Sequence, residues 1–257
     1  MIKNRDDVAV VVPIYKPRFE PLEQFSIDYS FAQLDRRPTR FVAPASLDLS
    51  YYAGRYPATR VERFPDEYFV SIEAYSRLLL REDFYRRFAA HEFILLLQPD
   101  AILLRDELDH WAGQPFDYIG APWPDPMELT VRRDHFKDTL ARRVRATVGN
   151  GGFSLRRVGR CIGLIREFPE MNALFVANGT NEDGFFSLLG ALSSDFVIPN
   201  EVVASRFAIE LKPEYYFAVN GGRYPMGVHA WGIVQPTFWA PCIPPLAQVL
   251  RQGNQAA

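Results

Sequence analysis

The chain has 257 residues, of which 48% are hydrophobic, and a formal net charge of −2 at pH 7. This length and apolar content predict one sizeable α/β domain and exclude a disordered protein. The small negative charge gives no electrostatic reason to expect nucleic acid as a partner. Cys161 and Cys242 lie far apart and outside the spacing of a zinc site, so we expect them to be reduced cysteines.

The apolar stretches are too short to span a membrane. The N-terminal stretch ends at Pro13 and is too short for a signal peptide. The longest one elsewhere, Phe93 to Leu97, falls well below the roughly 20 residues that a bilayer requires. We therefore expect a soluble, cytoplasmic protein, for which peripheral association with a membrane stays open.

The first half of the chain alternates predicted strands and helices. Val8 to Val12 is an apolar, mostly β-branched run, as in a strand buried on both faces of a parallel sheet. A helix begins at Pro21 and ends at Arg36-Arg37-Pro38. Further strands are predicted at 40–43, 59–64 and 93–98, and helical spacing at 66–90. This order is the βαβ pattern of a parallel sheet with helices on its faces.

The second half is more irregular. Its predicted strands are 117–123, 196–198 and 207–211, and residues 148–156 are predicted as a glycine loop that enters a further strand. Its predicted helices are 157–168 and 181–192. Residues 124–147 are polar and weakly patterned, and we expect a mobile excursion there that serves as a lid. The chain shows no internal repeat and no linker, so we predict one domain at 1–241 and a surface tail at 242–257.

Residues that follow buried strands are the first candidates for a site, because ligands bind beyond the carboxyl ends of parallel strands. Pro13-Ile14-Tyr15-Lys16 follows the first strand and Gln98-Pro99-Asp100 follows a later one. Asp100 is a suitable ligand for Mg²⁺ or Mn²⁺, which take their remaining ligands from phosphate and water. Pro-Asp is also ordinary turn chemistry, so a turn without a metal is the alternative.

Four later segments also carry candidate residues. The glycines of Gly149-Asn150-Gly151-Gly152 permit positive φ angles and a close approach of a bound sugar, or else a tight turn. Asn181-Glu182-Asp183 is typical of a capped helix start, where the dipole should lower the pKa of a carboxylate. His229 is either a metal ligand or a hydrogen-bonded structural residue. Trp123 and Trp231 could stack on a sugar ring or pack in the core.

The order of the motifs LLLQPDAIL, DYIGAPW, VGNGGFSLR, NEDGFF, FAIE and GVHAW resembles that of a family of GT-A-like glycosyltransferases catalogued as a domain of unknown function. The resemblance runs from Val8 to Trp231 and is most specific after Phe93. It implies a GT-A-like (Rossmann-like) fold, with a mostly parallel sheet flanked by helices. It also implies a nucleotide-sugar-binding half at about 8–105 and an acceptor half at 106–241.

The resemblance also implies roles for single residues. Asp100 matches the metal-binding acid of the D-x-D motif, with Gln98 at the first acidic position, and His229 matches the late histidine of the metal site. Asp183 matches the acid that acts as the base in inverting members. The implied nucleotide-sugar-binding residues are Pro13, Tyr15, Lys16, Gln98, Asp100, Gly151 and Gly152. The implied acceptor-binding residues are Trp123, Glu182 and Trp231.

The function that follows is an inverting glycosyl transfer assisted by Mn²⁺ or Mg²⁺. We expect the donor to be a nucleoside-diphosphate sugar, UDP-linked, and the acceptor to be a saccharide of a cell-surface glycan. One alternative is a sugar-phosphate nucleotidyltransferase, although such enzymes carry a glycine-rich basic loop where this chain has Pro-Ile-Tyr-Lys-Pro. A second alternative is a non-catalytic carbohydrate-binding module, which would keep the aromatic residues and glycines but need no acid beside a metal.

Overall fold

The computed structural model of the chain describes residues 7–34, 36–131, 142–243 and 246. In chain order its strands are β1 (Val8–Pro13), β2 (Thr39–Pro44), β3 (Arg60–Phe64), β4 (Phe93–Leu97), β5 (Ile102–Leu103), β6 (Tyr118–Ile119), β7 (Pro122–Val131), β8 (Arg142–Val148), β9 (Phe153–Arg157), β10 (Ala208–Ile209) and β11 (Gly227–Val228). Its α-helices are α1 (Pro21–Gln33), α2 (Ser50–Arg55), α3 (Ile72–Leu79), α4 (Glu82–Arg86), α5 (Leu108–Ala112), α6 (Val158–Glu167), α7 (Pro169–Asn178), α8 (Glu182–Gly190), α9 (Glu201–Phe207) and α10 (Pro213–Val219). Two 3₁₀ turns lie at Asp66–Phe69 and Pro236–Trp239.

The largest sheet has six strands in the order β3-β2-β1-β4-β9-β6. β1 pairs in parallel with β2 and β4, and β2 pairs in parallel with β3. β9 runs antiparallel between β4 and β6. A second sheet has the order β10-β11-β5, and β7 pairs with β8. The mostly parallel sheet flanked by helices that the sequence predicts is thus confirmed.

The sheet is apolar on both faces because helices cover both. Side chains alternate in direction along a strand, so Val8, Val10 and Val12 enter one core cluster while Ala9 and Val11 enter the other. Helices α1, α5 and α9 contribute to the first cluster, and α3, α4, α6 and α8 to the second. This double burial explains why β1 and β4 read as continuous apolar runs in the sequence.

Several predicted elements differ from the structure. Residues 122–131 and 142–148 form the antiparallel pair β7 and β8, where a mobile excursion was expected, and 132–141 lie outside the described residues. Residues 196–198 form no strand. The N–H of Val197 donates to Asp117 Oδ2 and its carbonyl accepts from the N–H of Asp117, so its backbone groups do not pair with a strand. The predicted strand at 207–211 is confined to β10, since Phe207 ends α9.

The C-terminal part of the structure also differs from the prediction. Ile243 and Leu246, expected in a surface tail, are buried against Trp231 and Trp239 in a third apolar cluster. The rest of the predicted tail beyond Ile243 lies outside the described residues. Within the described ranges, none of the helices has the length and apolar character needed to cross a membrane.

Candidate active site

Loops at the carboxyl ends of β1 and β4 open into one cleft of about 890 Å³. The loop that enters β9, the start of α3 and the start of α8 form its other walls, together with the segments that follow β10 and β11. The predicted site residues that line it are Pro13, Tyr15, Gln98, Asp100, Trp123, Gly151, Gly152, Glu182, Asp183, His229 and Trp231. Lys16 lies beside this cleft, in an adjoining small pocket, and pairs there with Glu23 at 3.1 Å. The structure therefore brings together residues from both halves of the chain.

His229 lies between two carboxylates. Its Nε2 is 3.3 Å from Asp100 Oδ1, and its Nδ1 is 3.1 Å from Glu210 Oε1. Burial on its own lowers the pKa of the imidazole, but attraction to Asp100 and Glu210 outweighs it and raises the pKa to about 10. The pKa of Asp100 is held below its usual value, because the contact with His229 outweighs the effect of burial. Neither ring nitrogen has a well-aligned acceptor within the described ranges, so the contacts are electrostatic.

Asp100 and His229 fit a divalent cation that takes only two ligands from the protein. Asp100 and Glu210 face opposite nitrogens of the ring, so they cannot share one ion, and the described residues form no cluster of three metal-binding side chains. Two ligands suffice for Mg²⁺ or Mn²⁺ when diphosphate and water supply the others. With Nε2 on an ion, Nδ1 would keep its proton and donate a hydrogen bond to Glu210, as metal-bound histidines commonly do towards a carboxylate.

Glu210 has no role in the sequence prediction, although it belongs to the FAIE motif. It follows β10 and also accepts a hydrogen bond from the side chain of Asn150 in the glycine loop. The predicted strand at 207–211 included Glu210, so its position at the end of β10 became visible only in the structure. Glu210 therefore connects His229 to the loop that carries Gly151 and Gly152.

The glycine loop is built around two close approaches. A Cβ on Gly152 would lie 2.2 Å from His229 Nε2, and a Cβ on Gly151 would lie 2.3 Å from Glu182 Oε1. The positive φ angle expected among the glycines belongs instead to Asn150, at 59°. The glycines are therefore required because the histidine and the glutamate occupy the space of a side chain.

Asp183 lies in the first turn of α8 and faces the cleft. Its Oδ2 accepts a hydrogen bond from the N–H of Gly151 at 3.2 Å, and its Oδ1 accepts one from the N–H of Gly184 at 2.7 Å. Its pKa is nevertheless raised to about 6, by burial and then by the charge of Glu182. The expectation that the helix start lowers this pKa is thus wrong, because desolvation and a neighbouring charge outweigh the two N–H donors.

Both carboxylate oxygens of Glu182 accept hydrogen bonds from other side chains of the protein. Its Oε1 accepts a hydrogen bond from Arg156 Nη2 at 2.8 Å, and its Oε2 accepts one from Ser76 Oγ at 2.9 Å. Only 5% of the residue is exposed. Trp231 is likewise buried, and its Nε1 donates to Ser26 Oγ. Arg156 and Ser76 are site residues that the sequence prediction did not include.

The charge of the cleft is strongly one-sided. Its carboxylates are Glu23, Asp100, Glu182, Asp183 and Glu210. In the part of the chain that the structure describes, no lysine or arginine lines it, and Lys16 lies in the adjoining pocket. A diphosphate would therefore meet negative charge here unless a cation accompanied it.

Residues 58–229 match a protein family described as "Protein of unknown function (DUF5672)". The chain belongs to this family. No curated protein matches the DUF5672 chain in sequence.

Solved structures resemble the DUF5672 chain in fold. The galactosyltransferase LgtC, in complex with donor and acceptor sugar analogs, is 15% identical over 86% of each chain, with a TM-score of 0.55. An active-site mutant of LgtC gives the same identity and coverage, with a TM-score of 0.52. The apo glycosyltransferase GlyE from Streptococcus pneumoniae TIGR4 is 12% identical over 96% of this chain and 63% of its own, with a TM-score of 0.48. The predicted GT-A-like fold is confirmed.

Proposed function

We propose that this DUF5672 protein is a glycosyltransferase with a divalent metal ion. It transfers a sugar from a nucleoside-diphosphate sugar, UDP-linked, to a saccharide acceptor of a cell-surface glycan. One observation carries the proposal: Asp100, His229 and Asp183, from three distant parts of the chain, line the same cleft at the carboxyl edge of a GT-A-like sheet. Ligand sites of open α/β sheets occupy this edge.

The donor side of the proposed site contains Asp100 and His229. Asp100 and Nε2 of His229 would hold Mn²⁺ or Mg²⁺, and Glu210 would keep the proton on Nδ1. A divalent cation bound there supplies positive charge to the leaving diphosphate. The absence of lysine and arginine from the described cleft walls supports this assignment, because neither of these residue types is there to balance the charge of the diphosphate.

The remaining donor contacts come from loops at the same edge. Pro13 and Tyr15 would contact the nucleotide from the end of β1, with Lys16 beside them. Gln98 would take the position next to Asp100. The backbone of Gly151 and Gly152 would border the transferred sugar.

The acceptor side of the proposed site contains Asp183. With a pKa near 6 its carboxylate is ionised at neutral pH and can take the proton of an acceptor hydroxyl. General-base catalysis of this kind contributes on the order of 10²- to 10⁴-fold to the rate. Direct attack by that hydroxyl inverts the anomeric centre. Trp123 would border the acceptor, whereas the burial of Trp231 and the contacts of Glu182 with Arg156 and Ser76 favour indirect roles for those two residues.

Calorimetry with UDP in the presence and absence of Mn²⁺ tests the donor site. We expect UDP to bind only with the metal, and D100N and H229Q to lose this binding while remaining folded. D195N changes an exposed aspartate outside the cleft and is the matched control. Metal-independent UDP binding, or unaltered binding by D100N, would contradict the assignment.

A screen of nucleotide sugars for UDP release identifies the donor. We expect turnover with at least one UDP-sugar and its loss in D183N, with UDP and Mn²⁺ binding unchanged. Pyrophosphate release from a nucleoside triphosphate would indicate a nucleotidyltransferase instead. Saccharide binding without any nucleotide binding would indicate a carbohydrate-binding module.

A further inference from the structure

The rim of the cleft carries three strongly exposed aliphatic side chains. Val70, Ile72 and Ile233 line the cleft and are 75%, 73% and 80% exposed. Within the described ranges no other large hydrophobic residue is as exposed, and the next, Tyr215, is 59% exposed and lies outside the cleft. Exposed apolar residues are ordinary when they are scattered singly. Three of them at the edge of one cleft indicate a binding surface.

These side chains are mounted on the segments that build the proposed site. Val70 and Ile72 flank Ser71, whose Oγ caps α3 by accepting from the N–H of Ala74. Further along α3, Ser76 holds Glu182, next to Asp183. Ile233 lies in the segment that follows His229, and its N–H donates a hydrogen bond to the carbonyl of Ala230. The three exposed side chains thus lie on segments that also carry the base side and the metal side of the cleft.

A sugar ring or a diphosphate does not match this surface. Sugars are bound through hydrogen bonds to their hydroxyls and through flat aromatic faces, and branched aliphatic side chains offer neither. A charged phosphate would lose hydration beside them without gaining a partner. An apolar group, in contrast, gains free energy by leaving water on such a surface.

We infer that the acceptor carries an apolar group next to the sugar that receives the transferred residue, and that Val70, Ile72 and Ile233 bind this group. The inference rests on the proposed function, because the acceptor would enter the cleft in which Asp183 lies. A membrane surface is the other occupant to consider. The five carboxylates of the cleft repel anionic lipid headgroups, so the charge favours an apolar group on the acceptor itself.

Matched acceptors test the inference. The acceptors are the methyl and octyl glycosides of glucose, galactose and N-acetylglucosamine, all below micellar concentrations. Their KM values would be measured in the presence of the donor that is found active for this enzyme. Each methylene that leaves water strengthens binding about fourfold, so we expect the octyl glycoside to have a KM at least about tenfold lower than its methyl counterpart. In I72S and in I233S this ratio should fall towards one. L174S changes an exposed leucine outside the cleft and should keep the wild-type ratio.

Calorimetry of octyl glycosides with the protein separates this inference from the proposed function. Octyl glycoside binding that I72S abolishes, without sugar transfer to any acceptor, would support the apolar rim and contradict the transferase. Transfer with equal KM values for methyl and octyl glycosides would overturn the rim inference and leave the transferase standing. Binding to phosphatidylcholine vesicles that I72S abolishes, without octyl selectivity, would also overturn it and indicate a membrane surface.

Discussion

Arg156 and Glu182 form a buried ion pair at 2.8 Å, with 0% and 7% of their side chains exposed. The guanidinium also stacks against Tyr118 and Phe186, with its carbon 5.2 and 5.3 Å from the ring centroids. Because Glu182 precedes Asp183 and Arg156 follows the glycine loop, the pair joins the two segments on which the proposed base depends. Asp183 is therefore held by contacts that lie entirely inside the protein.

Removing the guanidinium should destabilise the fold. In R156M the carboxylate of Glu182 keeps only the hydrogen bond from Ser76, and an unpaired buried charge typically costs about 3–5 kcal/mol. We expect urea denaturation to show a loss of this size. R86M breaks the surface pair of Arg86 with Glu82 and should lose no more than about 1 kcal/mol. Equal losses in the two variants would mean that the buried pair has no special role.

Replacing Glu182 should move the pH dependence of activity. After burial, the charge of Glu182 is the next cause of the raised pKa of Asp183, so E182Q should lower that pKa. A base must be ionised, and the acidic limb of kcat/KM should therefore lie near pH 6 in the wild type and at lower pH in E182Q. E167Q changes an exposed glutamate on α6 and should leave the limb in place. A limb that stays near pH 6 in E182Q would exclude this coupling.

Asp183 should lower the stability of the protein at neutral pH. Its pKa is about 6 in the folded chain and about 3.9 in an unfolded one, so the folded state binds the proton more tightly. Stability is therefore lost as the pH rises from about 4 to about 6, by up to about 3 kcal/mol.

The D183N variant checks this linkage, because an asparagine does not titrate. It should melt above the wild type at pH 7 and 8, and the difference should vanish below about pH 4. Differential scanning calorimetry across this range measures it. A D183N melting temperature below that of the wild type at pH 8 would show that the ionised carboxylate stabilises the fold instead.

The glycine at 152 should be intolerant of a side chain. The Cβ of G152A would overlap the His229 ring, so the histidine must move away from Asp100. We expect G152A to lose Mn²⁺-dependent UDP binding. G159A and G163A are matched controls on α6, where an added Cβ meets nothing within 4 Å. Both should bind normally and gain about 0.5–1 kcal/mol of stability, because alanine favours a helix over glycine. Normal UDP binding by G152A would show that the position of His229 is not critical.

Much of the fold could be predicted because its signals are local. A strand buried on both faces must be apolar throughout, and the runs at Val8 and Phe93 follow that rule. β7 and β8 were missed because they are buried on one face only. In β8 the buried Val144 and Ala146 alternate with exposed arginines, so no continuous apolar run forms. β10 and β11 have only two residues each and exist because β11 pairs with both β10 and β5, which local patterns do not show.

The sequence by itself determined the α/β fold class, since buried strands and helix starts are visible along the chain. It proposed Asp100, Asp183 and His229 as a set through the resemblance to a GT-A-like family. The tertiary structure alone decided what surrounds them. It placed Glu210 against His229, directed Glu182 to Arg156, and raised the pKa of Asp183 above its usual value. Burial and through-space charge produce these effects, and both depend on residues that are distant in the chain and become neighbours only on folding.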